Sequence, residues 1–96
     1  MTNRLEEAEP LYRRALAIDE ERLGPNHSRV ATHLSNLAQL LQATNRPEEA
    51  KPLYRLALSI DEQSFGPNHS RVATHLNNLA LLLNATNQPA EAEPLY

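Results

Sequence analysis

The chain has 96 residues, 41% of them hydrophobic and 4% aromatic, with no cysteine and a formal net charge of -3. That length allows one small domain or a few repeats, and a composition dominated by Ala, Leu, Glu, Gln and Arg is helical. Disulfides and thiolate metal sites are excluded, an acidic chain is a poor partner for a nucleic-acid backbone, and the longest aliphatic run, Leu79 to Leu83, is far too short to span a bilayer.

The opening MTNRLEEAEPL has acids where a secretory leader needs an apolar core, so a cytoplasmic location is the default expectation. Shifting the chain by 42 residues aligns residues 2–43 with 44–85 at 32 of 42 positions, and a third copy starts at Thr86. A period of that size marks a stacked repeat array, in which one unit cannot bury its own apolar face.

The first predicted helix, residues 5–23, carries Leu5, Ala8, Leu11, Tyr12, Ala15 and Leu16 on an apolar stripe. The second, 28–43, has Val30, Leu34, Leu37, Ala38 and Leu41 at i, i+4, i+7, i+8 and i+11, one face of a helix. Asn26 or Ser28 can cap its start, and Asn45 suits the left-handed residue after its end. The third, 47–65, opens on Pro47 with Glu48 and Glu49 at its positive end, buries Ala50, Leu53, Tyr54, Ala57, Ile60 and Ser64 or Phe65, and stops at Gly66 and Pro67. Pro52 lies inside it, and a slight kink near the first turns is the expected consequence. The fourth, 70–85, repeats the second, and 89–96 begins a fifth. The loops are short, so neighbouring helices should pack antiparallel. Calling 5–23, 47–65 and 89–96 B-type and the other two A-type, residues 1–96 form one repeat domain. It comprises an incomplete first unit (5–23), one A/B pair (28–65) and a second A helix with a truncated partner (70–96).

At this point the residues resemble a known family. Leu34, Leu37, Ala38 and Leu41 followed by Ala50, Tyr54 and Ala57 look like the tetratricopeptide repeat, with Ala38 and Ala50 at the places where its two helices cross. The usual unit has about 34 residues. The longer unit here, and the phrases NNLALLL, EEAKPLYRLALSI and FGPNHSRVA, are similar to the long-repeat subclass of kinesin light chains and many bacterial proteins. Asn45 and Asn87 stand where that family often has Gly, and Ser28 and Ser70 where it often has Pro. The resemblance implies an all-α, right-handed α-solenoid of about two and a quarter repeats of 42 residues, starting and ending within a repeat. It implies A helices lining a concave groove for a peptide or partner helix, B helices on the convex side, and no catalysis and no cofactor.

Carried onto this sequence, the groove strip is Thr32, Ser35, Gln39 and Gln42 on one A helix and Thr74, Asn77, Leu81 and Asn84 on the next, flanked by Asn36 and Asn78. All twelve acids lie in B segments, so an acidic convex side and a neutral to mildly basic groove are expected. Such a groove reads peptide backbone through Asn and Gln amides and tolerates an acidic ligand better than a basic one. An idle groove in a spacer solenoid is the alternative. Asn inside a helix is costly. For Asn36 and Asn78 the favoured explanation is a hydrogen bond to a neighbouring helix or loop, with ligand contact as the alternative.

Several patterns carry no chemistry. His27 and His33 are six apart, not the i, i+4 of a helical zinc site, and no metal is expected. His27 and His69 are assigned to the loop and helix start, and His33 and His75 to packing beside Leu40 and Leu82. The triplets at Asn26, Asn68 and Asn84 match a glycosylation site without a secretion signal. Adjacent acids such as Glu48 and Glu49 on an exposed helix start imply no acid–base pair. Finally, the open ends, with Leu5, Ala8, Leu11 and Tyr12 on one side and Val72, Leu76, Leu79 and Leu83 on the other, predict self-association into a homo-oligomer. A segment cut from a longer array is the other possibility.

Overall fold

In the computed structural model, which describes residues 2–85, the chain runs α1 (Thr2–Leu23), α2 (Ser28–Ala43), α3 (Pro47–Phe65) and α4 (Ser70–Ala85). The segment from 86 onward, including the expected helix at 89–96, lies outside the described residues. Each helix packs against the next in the chain, α1 on α2, α2 on α3 and α3 on α4. No strand occurs among the described residues.

The turns explain the stack. Asn45 has φ 64°, and around it Arg46 N–H donates to Leu41 O at 2.8 Å and Asn45 N–H to Gln42 O at 3.2 Å. This paired closure satisfies carbonyls that the end of α2 would otherwise leave open, and it reverses the chain within three residues, 44–46. The longer loops 24–27 and 66–69 begin with Gly24 and Gly66 at φ 91° and 87°, a region that side chains with a Cβ avoid. Neither Asn26 nor Ser28 caps α2. The cap is His27, whose Nδ1 accepts from Arg29 N–H at 3.1 Å, and His69 does the same for Arg71 N–H at 3.1 Å. Imidazole serves here because its ring nitrogen reaches a free amide of the first turn. Pro10 and Pro52 sit inside α1 and α3, and both helices continue through them.

Two apolar clusters form the core. Leu37, Ala38, Leu40, Leu41, Ala50, Tyr54, Leu79, Ala80, Leu82 and Leu83 make one, joined by Leu5, Ala8, Leu16 and Leu53 at its edge. Val30, Ala31, Leu34, Ala57 and Ile60 make the other. Ala38 and Ala50 are both fully buried in the first, as a close crossing of α2 and α3 requires. Ala31 and Ala57 do the same in the second. Tyr54 is the largest buried side chain, its hydroxyl donating to Gln42 Oε1 at 3.3 Å, and burial pushes its pKa up to about 12.

Three expectations about apolar surface need correction. Val72, Leu79 and Leu83 are buried within the chain itself, because their side of α4 faces the core rather than an open end; Leu76 is half-buried. On α1, Leu5 and Ala8 tuck partly against the core, whereas Leu11 and Tyr12 are exposed, together with Ile18. Ser64 and Phe65 are exposed rather than the end of the buried stripe. Phe65 instead stacks on His69 with ring centroids 4.5 Å apart, under the Arg71 guanidinium at 5.7 Å.

Candidate functional site: a cleft between two helices

α2 and α4 flank an open cleft of about 240 Å3 lined by Thr32, Ser35, Asn36 and Gln39 from α2 and Arg71, Thr74, His75 and Asn78 from α4. The equivalent pairs Thr32 and Thr74, and Asn36 and Asn78, both line it, and beyond these the two helices contribute opposite flanks. α2 turns Ser35 and Gln39 toward α4, while α4 answers with the positions equivalent to Arg29 and His33. The α4 residues that repeat Ser35 and Gln39, namely Asn77 and Leu81, lie on its other flank and are exposed.

Of the groove strip expected from sequence, Thr32, Ser35, Asn36, Gln39, Thr74 and Asn78 therefore meet in one cleft. Gln42, Asn77, Leu81 and Asn84 do not line it. Gln42 is turned toward α3, where it accepts the Tyr54 hydroxyl. The assumption that failed is that each A helix shows one and the same strip to a ligand. In a stack, each shows one flank to its predecessor and the other to its successor.

The back wall is a hydrogen-bond chain through three helices. His75 Nε2 donates to the Asp61 Oδ2 carboxylate oxygen at 2.7 Å, and in the neutral ring this leaves Nδ1 to accept a hydrogen bond from the Ser35 hydroxyl at 2.9 Å. Arg71 Nε donates to the same Asp61 oxygen at 2.9 Å, while its Nη2 donates to Ser28 O at 2.9 Å and Thr32 Oγ1 at 2.8 Å. Asp61 is fully buried, and its other oxygen, Oδ1, has no partner among the described residues. The first unit holds the same set, with His33 Nε2 on Asp19 Oδ2 at 2.8 Å and Arg29 Nε at 3.3 Å. This corrects two expectations. His33 and His75 are bonded to acids of the preceding helix rather than merely packed beside leucines. Asp19 and Asp61 are buried ties rather than part of a solvated acidic face. Sequence carried a signal for this: Asp, Arg and His recur at offsets of 10 and 14 residues in both copies.

Ser35, His75 and Asp61 have the connectivity of a nucleophile, base and orienter. The repetition argues for architecture instead. The Asp–His pair recurs as Asp19–His33, whose ring has no serine partner among the described residues, so the pair forms without a nucleophile.

Asn36, Gln39 and Asn78 make no side-chain hydrogen bond among the described residues. The favoured tie from Asn36 or Asn78 to a neighbouring helix is thus not formed, because their amides point into the cleft. Among the described residues no carboxylate lines the cleft, and Arg71 and His75 are its ionisable groups. Away from it, Arg46 donates to Glu9 at 2.6 Å and to Glu49 at 2.7 and 3.0 Å, tying α1 to the start of α3. Hydrogen bonds from Arg46 hold the Glu49 carboxyl, and with Arg13 the Glu9 carboxyl, below the ordinary 4.5. Among the described residues no three His, Asp or Glu side chains converge as a metal site, and no helix is long and apolar enough to cross a membrane.

The sequence model of the tetratricopeptide repeat matches residues 1–63 and 49–96. The crystal structure of BtubC (BKLC) from P. vanneervenii superposes with a TM-score of 0.90 at 29% identity, covering 97% of this chain. The chain spans 37% of the length of that structure. No curated protein matches the sequence at a significant level.

Proposed function

This chain belongs to the tetratricopeptide repeat family, whose repeats mediate protein–protein interaction, and from that premise we propose that it is a non-catalytic scaffold holding an extended peptide in the cleft between α2 and α4. One observation carries the proposal. Three primary amides, Asn36, Gln39 and Asn78, face one cleft with their donors and acceptors unspent. Asparagine inside a helix lowers helix stability, and these two have no compensating side-chain bond among the described residues. Each amide can both donate and accept, which matches the alternating N–H and C=O of an extended backbone. Arg71 and His75 are bonded to Asp61 behind the cleft, and no carboxylate among the described residues lines the cleft itself, so a neutral or acidic segment is favoured over a basic one. The hydroxyls of Ser35, Thr32 and Thr74 have spent their protons on His75, Ser28 O and Ser70 O, so toward a ligand they act as acceptors and as shape.

A peptide-library pulldown tests this. The doubly substituted Asn36→Ala, Asn78→Ala protein is expected to lose most capture, while Asn77→Ala, outside the cleft, keeps it. Equal capture by all three proteins counts against the cleft.

A second reading is favoured by a separate observation. Leu11, Tyr12 and Ile18 are exposed together along α1, an apolar flank that supports self-association through a terminal helix. Light scattering against concentration tests it; a strictly monomeric, well-folded species removes it.

A further inference from the structure

The flank of α1 that carries Leu11, Tyr12 and Ile18 has its counterpart, residue for residue, in Leu53, Tyr54 and Ile60 of α3. In α3, Tyr54 and Ile60 are buried in clusters shared with α2, and Leu53 lies at their edge. The occupant that suits the α1 flank is therefore an A-type helix, with the sequence of α2 or α4. Within the chain α2 already covers α3, and α4 of a second copy offers the same A-type sequence.

A polar set points to the same occupant. Inside the chain, α4 docks on α2 through Arg71, which reaches Ser28 O and Thr32 Oγ1, and through His75, which reaches Ser35 Oγ. α2 carries the same donor pair, Arg29 and His33, on its own outer flank. The Arg29 side chain is 67% exposed and its only described partner is Asp19. The matching acceptors on α4 are Ser70 O, Thr74 and Asn77; Thr74, at the rim of the cleft, and Asn77, on the outer flank, are exposed. Asn77 differs from Ser35, yet its amide N–H can donate to His33 Nδ1, the ring nitrogen left free when Nε2 bonds Asp19. The apolar surfaces agree as well. Ala31 and Leu34 of α2 are buried against Ala57 and Ile60, whereas their equivalents on α4, Ala73 and Leu76, are exposed and half-buried, as are the partners' equivalents on α1, Ile18 and Ala15 respectively.

We infer that the chain self-associates head to tail. The α1–α2 end of one copy stacks on the outer flank of α4 in a second, with Arg29 on Ser70 O and Thr74, His33 on Asn77, and Ile18 against Leu76. The contact continues the register already present between α2 and α4. It is heterologous, so it propagates rather than closing as a symmetric pair. This rests on the self-association reading and specifies its geometry.

The absence of cysteine makes the test clean. Thr74→Cys and Arg29→Cys proteins of different mass, one tagged, are mixed and treated with a short bismaleimide. The mixture is expected to give a cross-linked heterodimer, and each variant alone is expected to give none. A Thr32→Cys, Arg71→Cys chain serves as the intramolecular standard for the same spacing. Tyr12→Glu, which places a charge on the apolar flank, is expected to weaken association by about tenfold or more in light scattering. Cross-linking within Thr74→Cys alone, or association without the heterodimer, overturns the head-to-tail register while leaving self-association standing. A concentration-independent monomer overturns both.

Discussion

α1 and α3 are nearly the same helix placed in two environments. Residues 5–23 and 47–65 agree at 12 of 19 positions, and the tyrosine and isoleucine of the stripe are common to both. Yet Tyr54 is 1% exposed and Tyr12 37%, and Ile60 is 2% exposed and Ile18 45%. The difference lies outside the helix. α3 is clasped between α2 and α4, whereas α1 packs chiefly against α2. In a stacked repeat, burial belongs to the junction between units, so one apolar residue is core in one copy and interaction surface in the other.

The largest effect should come from the tyrosines. Tyr54→Ala removes a buried ring and a hydroxyl bond and should cost about 3–5 kcal/mol, enough to unfold much of a chain this small. Tyr12→Ala should change stability by less than about 1 kcal/mol in dilute solution. Urea unfolding followed by helical circular dichroism separates them, and similar midpoints would mean that α1 and α3 are not different environments after all.

A smaller contrast separates the two buried acids. Asp61→Ala takes away the acceptor of both His75 and Arg71 in a fully buried site, at an expected cost of about 3 kcal/mol. Asp19→Ala breaks the same pattern at a more open place, with a longer arginine contact of 3.3 Å, and should cost about 1.5 kcal/mol. Thermal unfolding of the two variants sharpens the comparison, since reversed order would place the tighter junction at α1–α2.

The smallest effect concerns the tie across those helices. The Glu9 and Glu49 carboxyls are held below the ordinary 4.5 by Arg46, so their contribution is present above about pH 4.5 and is lost as acid protonates them. The Glu49 pair is solvent-exposed and the Glu9 pair only partly covered, so the effect is small. Arg46→Gln should lower the melting temperature slightly at pH 7, and the difference from wild type should shrink as the pH is taken progressively below 4.5. A constant difference across that range would assign the loss to the turn after α2 instead.

Much of the architecture was legible from the letters, for identifiable reasons. Turn chemistry is local: Asn45 and Gly66 mark their helix ends because positive φ strains other residues. Apolar spacing of three and four put Ala38 and Ala50 on the buried stripes of their helices, and the family resemblance supplied their pairing; both are fully buried in one cluster. The cleft was legible in part. Thr32, Ser35, Asn36, Gln39, Thr74 and Asn78 share a helical face that periodicity exposes. Gln42 was misplaced because its partner, the Tyr54 hydroxyl, comes from another helix. Arg71 and His75 were missed because a buried carboxylate ten and fourteen residues earlier in the chain holds them.

The sequence by itself therefore determined the repeat, its helices and their turns, since these depend on interactions a few residues apart. Only the tertiary structure decided which flank of each helix faces a neighbour, which acid is buried, and which amides stay unspent. Those outcomes depend on distances across the stack, and two identical stretches meet different neighbours there.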